Sequence, residues 1–416
     1  MKRIWEMVAL EQQGKITSSK RIFKSEYVDT GVPFYRTKEI KELANGRTIS
    51  TELYISQDRF DEIKRKFGTP VIGDLLITAI GTIGEIYVVD NINFYFKDGN
   101  VLWLKDFRDI DPYFLKYSLI AFIDQLNGIS HGSAYQALPI EKLKKHKIPK
   151  PPLSEQKRIV AILDEAFEGI DRAIANTKKN LVNSRELFEG YLNAIFTQKG
   201  DGWAEKTLGD VCEKVEYGSS TKSLVEGEIP VLRMGNIQNG AIDWGNLVYS
   251  IDKEEINKYL LKHNDVLFNR TNSDEHVGKT AIYKGEMPAI FAGYLIRIHR
   301  KEELIDADFL NFYLNSYTAR EYGKSIMSRS VNQANINGTK LKGYPISLPS
   351  LSIQKQIVEN LSFLRTETQR LEAIYRQKIS ALNELKQSIL QKAFTGELTA
   401  DTANQTTKAA QEVNAA

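Results

Sequence analysis

A single cysteine, Cys212, stands in 416 residues, which excludes an intramolecular disulfide and any multi-cysteine zinc site. The five histidines, His131, His146, His263, His276 and His299, are scattered without metal-ligand spacing. No stretch approaches the roughly 18 apolar residues of a membrane span. No apolar run follows Met1-Lys2-Arg3-Ile4-Trp5-Glu6, so no signal peptide is expected and the expected compartment is the cytoplasm. Charge of one sign is also scarce, since 56 Lys and Arg against 53 Asp and Glu leave a net +3. A nucleic-acid binder with so small an excess has to gather its cations on one face or share the phosphates with a partner. Enzyme signatures are missing too. Gly278-Lys279-Thr280 has the ending of a phosphate-binding loop, but the glycine needed five positions earlier is Ser273. Gly81-Thr82-Ile83-Gly84 lies between strand-like runs and reads as a turn. There is no Asp/Asn-Pro-Pro-Tyr tetrapeptide of amino-methyltransferases, and no carboxylates form a constellation beyond what solvated helix faces carry. The composition, 42% hydrophobic and 26% charged, is that of an ordinary globular binder.

What the chain does contain is the same text twice. Leu153-Ser154-Glu155-Gln156-Lys157-Arg158-Ile159-Val160-Ala161-Ile162-Leu163 returns as Leu351-Ser352-Ile353-Gln354-Lys355-Gln356-Ile357-Val358-Glu359-Asn360-Leu361, identical at seven of eleven positions and offset by 198 residues. The offset persists from Ile148 and Ile346 to Phe196-Thr197 and Phe394-Thr395. That period is far longer than the roughly 20–50 residues of a solenoid unit. It describes a duplicated pair of domain plus long helix, and two similar modules suit a ligand with two similar halves, such as duplex DNA.

The first stretch, 1–147, mixes short β-type runs with turn signals: Pro70-Val71-Ile72, Asp74-Leu75-Leu76-Ile77-Thr78-Ala79-Ile80 and Glu85-Ile86-Tyr87-Val88-Val89. An amphipathic helix is expected over Pro112–Asn127. The stretch 199–345 repeats the order: Ile229-Pro230-Val231-Leu232-Arg233 answers Val32-Pro33-Phe34-Tyr35-Arg36, and Asp308-Phe309-Leu310 opens the matching helix. Offsets here drift between about 191 and 197, so these parts differ by small insertions.

Residues 148–198 and 346–398 hold the long helices. Pro149, Pro151, Pro152 and Pro349 block helix upstream, and Ser154 and Ser352 offer N-cap oxygens. In the second copy Leu361, Leu364, Thr368, Leu371, Tyr375, Lys378, Leu382, Leu385 and Ile389 alternate by three and four, a heptad seam. In the first copy the same frame holds Leu163, Ala166, Ile170, Ala173, Thr177, Asn180, Ser184, Leu187 and Tyr191, with Ile174, Leu181, Phe188 and Ile195 on one flank. Gly396 can close the second helix and Gly200 opens the linker after the first. A helix of 44 residues is roughly 66 Å long and needs an equally long partner, which only the other copy supplies. The alternative is two unrelated helices, each packed on its own domain. The expected fold is α+β: two similar domains joined by two long antiparallel coiled-coil helices, pseudo-two-fold symmetric. Residues 399–416, rich in Thr, Ala, Asn and Gln, are expected to be a disordered tail.

Pro152-Leu153-Ser154-Glu155-Gln156-Lys157-Arg158-Ile159-Val160 and its repeat resemble the start of the long helices in the specificity (S) subunit of Type I restriction-modification systems. So do Gln333-Ala334-Asn335-Ile336-Asn337 before Lys340-Leu341, Ala393-Phe394-Thr395-Gly396-Glu397-Leu398, and Trp203 with Leu208-Gly209-Asp210-Val211. The resemblance covers residues 1–398 in order. The first copy departs from it: Trp5-Glu6-Met7-Val8 lacks the Leu-Gly-Asp-Val form, and Tyr135-Gln136-Ala137-Leu138-Pro139-Ile140 replaces Gln-Ala-Asn-Ile. The resemblance implies two target-recognition domains, each reading one half of a bipartite, asymmetric site in double-stranded DNA, with the helix pair fixing the spacer. It also implies two methyltransferase subunits carrying S-adenosylmethionine for adenine N6-methylation, and two ATP- and Mg-dependent restriction subunits. On this reading the chain binds no cofactor, metal or membrane and is not itself an enzyme.

Reading bases takes paired donors and acceptors, Arg to guanine and Asn or Gln to adenine. The loop with His131, Ser133, Tyr135 and Gln136, and its counterpart with Arg329, Ser330, Asn332 and Gln333, supply such groups at equivalent places. The alternative is that these loops only brace each domain against its helix. Arg36 and Arg233 are equivalent candidates after the proline-led strands, though an exposed arginine is commonly a solvated charge. Arg270 and Asn272 face Ala79-Ile80-Gly81 in the first copy and would make the half-sites differ. Lys20, Arg21, Lys24, Lys64, Arg65, Lys66, Lys222 and Lys324 are candidates for phosphate contacts, which position without specifying. A competing function is a coiled-coil adaptor whose end domains bind proteins. A third is a nuclease of unusual type.

Overall fold

The computed structural model describes residues 5–80, 83–91, 93–129, 138, 140–330 and 333–399. The chain divides into two compact units, Met1–Asn176 with Lys378–Ala416, and Thr177–Gln377.

In the first unit an antiparallel sheet runs in the order Lys15–Thr17, Val101–Lys105, Leu75–Thr78, Ile86–Val88. Its central strands are apolar on both faces, with Leu75, Leu76, Ile77, Leu102 and Leu104 at 3% exposure or less. That burial is why they read as continuous rather than alternating runs. A second sheet orders Tyr27–Val28, Tyr54–Ile55, Val32–Tyr35 and Tyr95–Phe96, the last pair parallel. Pro70-Val71-Ile72, expected as a strand, is instead a turn closed by Asp74, whose backbone N–H reaches the Val71 carbonyl and whose carboxylate accepts from Val71 N. The helix expected over 112–127 spans Pro112–Ile129.

The second unit repeats this order in a larger sheet: Cys212–Tyr217, Leu295–Arg300, Val266–Asn269, Thr280–Ile282, then Gly240–Ile242 and Ile237–Gln238. Here too a three-stranded sheet has a parallel pair, Ile229–Leu232 with Ile290–Phe291. Each unit is also closed by a two-stranded antiparallel ribbon, Met7–Ala9 on Lys147–Pro149 and Ala204–Thr207 on Pro345–Leu348. The cores therefore repeat, while after the proline-led strand the first unit has the helix Thr37–Ala44 where the second has the strands Ile237–Gln238 and Gly240–Ile242, and these spans differ in length.

The two long helices span Leu153–Thr197 and Leu351–Thr395. Neither starts where its serine predicts. The amides of Glu155 and Gln156 bond back to the Pro152 carbonyl and that of Gln354 to Ser350, so Ser154 and Ser352 lie inside the first turn. The carbonyls of Pro152 and Ser350 accept the first intrahelical bonds, which makes these the capping positions and starts each helix two residues earlier than a cap at Ser154 or Ser352 would. Gly396, at φ +76°, ends the second helix as expected, with Glu397 N bonded to the Lys392 carbonyl at 3.2 Å.

The helices pair with each other, and in opposite senses. In the first unit Lys386 of the second helix binds the Asp171 carboxylate at 2.7 and 2.8 Å and lies 4.8 Å above the Phe167 ring. In the second unit Arg185 meets Glu372 at 2.9 Å, and Arg365 lies over Phe188 and Phe312. Advancing from 185 to 188 in one helix means retreating from 372 to 365 in the other. The pairing excludes two unrelated helices packed only on their own domains.

One half of the expected seam is shifted by a residue. Leu163, Ile170, Thr177 and Ser184 are buried, as are Leu361 and Thr368. Between them lie Phe167, Ile174, Leu181 and Phe188; Ala166 and Ala173 are half-buried beside them, whereas Asn180 and Leu187 are exposed, and in the partner helix Arg365, Glu372, Ile379 and Lys386 are half-buried while Leu371, Lys378 and Leu385 are exposed. Both frames satisfy the alternation of three and four. The observed one covers larger side chains of the first helix, and burial scales with apolar area. Arg365 and Lys386 set their cationic heads over aromatic rings, and Glu372 and Lys386 are paired with Arg185 and Asp171.

Candidate nucleic-acid interface

The candidates named above fall into three groups. His131, Ser133, Tyr135, Gln136 and Asn332 lie outside the described residues. Leu138, just after the first loop, is nonetheless tied as its counterpart is in the second unit: its N–H bonds the Ala79 carbonyl at 2.8 Å, just as that of Ile336 bonds the Arg270 carbonyl at 2.9 Å. Ala79 is thus the structural counterpart of Arg270.

In the second unit the structure brings together two stretches that are about 60 residues apart in sequence. Ser328–Ser330 and Gln333–Asn335 form a hairpin, and Thr271–Asn272 pairs with its second strand through Thr271↔Asn335 and Asn272↔Ala334. Arg270, Asn272, Arg329, Ser330 and Gln333 therefore share one small sheet. Its base is rigid, because Asn335 donates to Thr271 Oγ1 at 2.6 Å and Lys340 Nζ to Ser328 Oγ at 2.8 Å. Its tip is open, with Arg329, Ser330 and Gln333 exposed. Arg329 is held by Asp274 at 2.7 Å, but both side chains are more than half exposed. Such a pair is worth at most about 1 kcal/mol and can be exchanged for another anion. Asn272 spends its side-chain oxygen on the Ser273 amide, which leaves its NH2 group to donate outward.

Arg270 is pre-set. Its guanidinium lies 4.8 Å from the Tyr217 ring centre and donates to the Gly293 carbonyl at 3.3 Å. The Tyr217 hydroxyl in turn accepts the Gly338 N–H at 2.8 Å. Tyr217 was not legible as part of the site, since it lies on a distant strand and no spacing connects it to residue 270. Stacking limits the rotamers of Arg270 before any ligand arrives, so less entropy is lost on contact.

Arg36 and Arg233 begin from the same position and end differently. Arg36 Nη2 binds Glu39 at 2.7 Å and Glu52 at 2.6 Å, and its backbone N–H also goes to Glu39. Burial pushes the Glu39 carboxyl up, but the Arg36 contacts outweigh it and hold it below the usual range. Lys38 and Arg36 together hold Glu52 at about 2. Arg36 is thereby committed within its own domain. At Arg233 the residue matching Glu39 is Asn236, which accepts from Arg233 N and donates to the carbonyls of Asp243 and Gly245. Among the described residues the Arg233 guanidinium meets the Asn246 carbonyl, at 2.9 Å, and its buried Nε has no partner. It lines an open depression of about 420 Å³ with Met234, Gly235, Asn236, Asp243, Gly245 and Asn246. Arg233 and Arg270 flank one segment, since Ala292 N bonds Leu232 O while Gly293 O accepts from Arg270.

Of the lysines and arginines expected at phosphates, Lys66 and Lys324 are tied to Glu62 and Glu321 at 2.7 and 2.6 Å. Among the described residues no group of three His, Cys, Asp or Glu converges as a metal site, and no helix is long and apolar enough to cross a membrane.

Comparison with known proteins gives one family. The Type I restriction modification DNA specificity domain matches twice, at residues 2–184 and 200–381. A putative type I restriction enzyme MjaX specificity subunit of Methanocaldococcus jannaschii is 33% identical over 199 residues, 47% of this chain and 46% of that protein. A putative specificity subunit of Haemophilus influenzae, S.HindORF215P, is 34% identical over 44% of this chain and 47% of its own length. The EcoKI specificity subunit of Escherichia coli is 25% identical over 71% of this chain and 66% of that one. The chain thus spans about half the length of the first two relatives. Among solved structures, a chain from work on complex assembly and conformational transition of the type I R-M system superposes with a TM-score of 0.74 at 20% identity, covering 95% of this chain and 98% of that one. The HsdS subunit from Thermoanaerobacter tengcongensis superposes at 0.57, also at 20% identity, over 95% and 97%. At that identity the likeness concerns the fold alone.

Proposed function

Because the chain belongs to the Type I restriction modification DNA specificity domain family, we propose that it is the DNA-reading subunit of such a complex, with one recognition domain per half of a split, asymmetric site. The observation that carries this reading is the small sheet of the second unit. A rigid base presents Arg270, Asn272, Arg329, Ser330 and Gln333, side chains of the kind that match base edges in a major groove. In the same domain Arg233 offers a cation without a carboxylate partner. In the first domain Arg36 is occupied, and the loop with His131, Ser133, Tyr135 and Gln136 takes the equivalent role.

Catalysis belongs to partners on this reading. Two methyltransferase subunits would bring S-adenosylmethionine and modify adenine N6, and two restriction subunits would bring ATP and Mg. The apolar side chains that the helix pair leaves outside, Phe363, Ile374, Leu385 and Leu187, at 47–70% exposure, give the methyltransferase subunits a surface. The cytoplasm is the compartment such an assembly requires.

The test is co-expression with a cognate methyltransferase, followed by sequencing of modified adenines. A stable complex that methylates one split motif is expected. Contiguous sites, or no complex, would remove the reading. Retention of DNA binding in a gel shift, lost steeply as salt rises, separates it from the protein-binding adaptor.

A further inference from the structure

The glutamine in each copy of the repeated helix start is completely buried, which is unusual so near the end of a surface helix. Gln156 accepts the Asp111 backbone N–H at 2.7 Å and donates to the carbonyls of Asp109 at 2.9 Å and Pro151 at 2.8 Å. Gln354 does the same with Asp306 N at 2.8 Å and with Leu304 and Pro349 at 2.9 Å each. The aspartates so held are themselves caps. Asp111 accepts from the amides of Tyr113 and Phe114, and Asp306 from those of Asp308 and Phe309. Each glutamine therefore ties a long helix to the capping residue of its domain's helix, with one acceptor and two donors all satisfied. In each unit a ring from the end of the other long helix meets that same domain helix: Phe394 lies 5.2 Å from Phe114, and Phe196 lies 5.4 Å from Phe309.

We propose that Gln156 and Gln354 are positioning residues that fix each recognition domain on its long helix, so that the separation at which the two half-sites are accepted depends on them. The proposal rests on the reading above. Packing alone would hold the domain in place but resists sliding weakly, because apolar contact is non-directional. Three directed hydrogen bonds from one amide restrict rotation as well. Asparagine carries the same groups on a stem one methylene too short, leucine has the volume without the bonds, and glutamate would turn an oxygen toward two carbonyls.

The measurement uses the full chain in its complex with the modification subunits. Affinities are compared for duplexes carrying the native spacer and spacers one base pair longer or shorter. Q156L and Q354L, and separately Q156E and Q354E, are expected to shrink the preference for the native spacer roughly tenfold, the worth of about one directed hydrogen bond. Leu104→Ala, which opens a cavity in the sheet core of the first domain away from the helix pair, serves as a control for lost stability and is expected to keep the wild-type ratio. An unchanged ratio in the glutamine variants, or an equal shrinkage in the control, overturns the proposal. A wild type that binds without any split motif or spacer preference removes the DNA reading instead.

Discussion

Arg36 and Arg233 are interchangeable in the sequence and opposite in the structure. The difference lies in the partners, the carboxylates of Glu39 and Glu52 against the amide of Asn236 and the carbonyl of Asn246. Replacing Arg233 by alanine is expected to lower DNA affinity and reduce the slope of log affinity against log salt by about 0.9, the share of one phosphate, as read by titration at several salt concentrations. Arg36→Ala is expected to leave that slope alone and to destabilise the chain by roughly 1–3 kcal/mol, because Glu39, 2% exposed, is left without its cation; denaturant unfolding would measure it. A second residue sets acid sensitivity. His146 stacks on Phe122 at 4.1 Å, and burial pushes its imidazole down from 6.5 to about 4. The folded state therefore binds this proton less readily than the unfolded chain. The associated stability is complete above pH 6.5 and is lost as pH falls from there toward 4. His146→Phe is expected to flatten the melting temperature between pH 6.5 and 5, where carboxylates contribute little.

Among the elements, the long helices show what periodicity can and cannot decide. Alternating spacings of three and four identified them, their lengths and the buried row Leu163, Ile170, Thr177 and Ser184. The same spacings fit two second rows one residue apart. Which one faces the partner depended on Phe188 finding Arg365, Glu372 finding Arg185, and Lys386 finding Asp171, contacts between residues at least 177 positions apart. The observed seam has a direct consequence. Leu361→Ala is expected to cost about 2–5 kcal/mol, whereas Leu385→Ser, at a position the alternative frame would bury, is expected to stay within about 0.5 kcal/mol. Chemical denaturation of the two variants distinguishes the frames. A double-mutant cycle on Arg185 and Glu372 is expected to return no more than about 1 kcal/mol, as for other exposed pairs.

For the molecule as a whole, the duplication concentrates difference where a two-part ligand would need it. The sheet order repeats between the units, and so do the buried glutamines and the closing ribbons. Among the described residues, the ion cluster of Arg36 with Glu39 and Glu52 does not repeat at Arg233, which meets Asn236 and Asn246 instead. Exchanging residues 203–345 for the corresponding segment of a relative is therefore expected to change one half of the methylated motif and leave the other intact, read by sequencing modified adenines. A change in both halves would mean that specificity is not divided between the domains. The net charge of +3 adds an expectation about affinity. The isolated chain should bind DNA weakly at physiological salt, and the complex more tightly, because its 56 Lys and Arg are nearly balanced by 53 Asp and Glu.

The sequence by itself determined the duplication, the two long helices, the α+β class and the family, because these rest on local spacing and on residues read in order. It also located the stretches around residues 270 and 328–333. Only the tertiary structure decided that those stretches form one sheet with Tyr217 stacked beneath Arg270, that Arg36 is occupied while Arg233 is not, and that the seam takes the second of two permitted frames. The stacked tyrosine and the seam are settled by partners distant along the chain, and the two arginines by residues 3 to 16 positions away; in every case a side chain's hydrogen bonds and burial depend on what folding places beside it. The repeated glutamine belongs to both levels. Its recurrence was visible in the sequence, and its task was visible only once the capping aspartates stood within 3 Å of it.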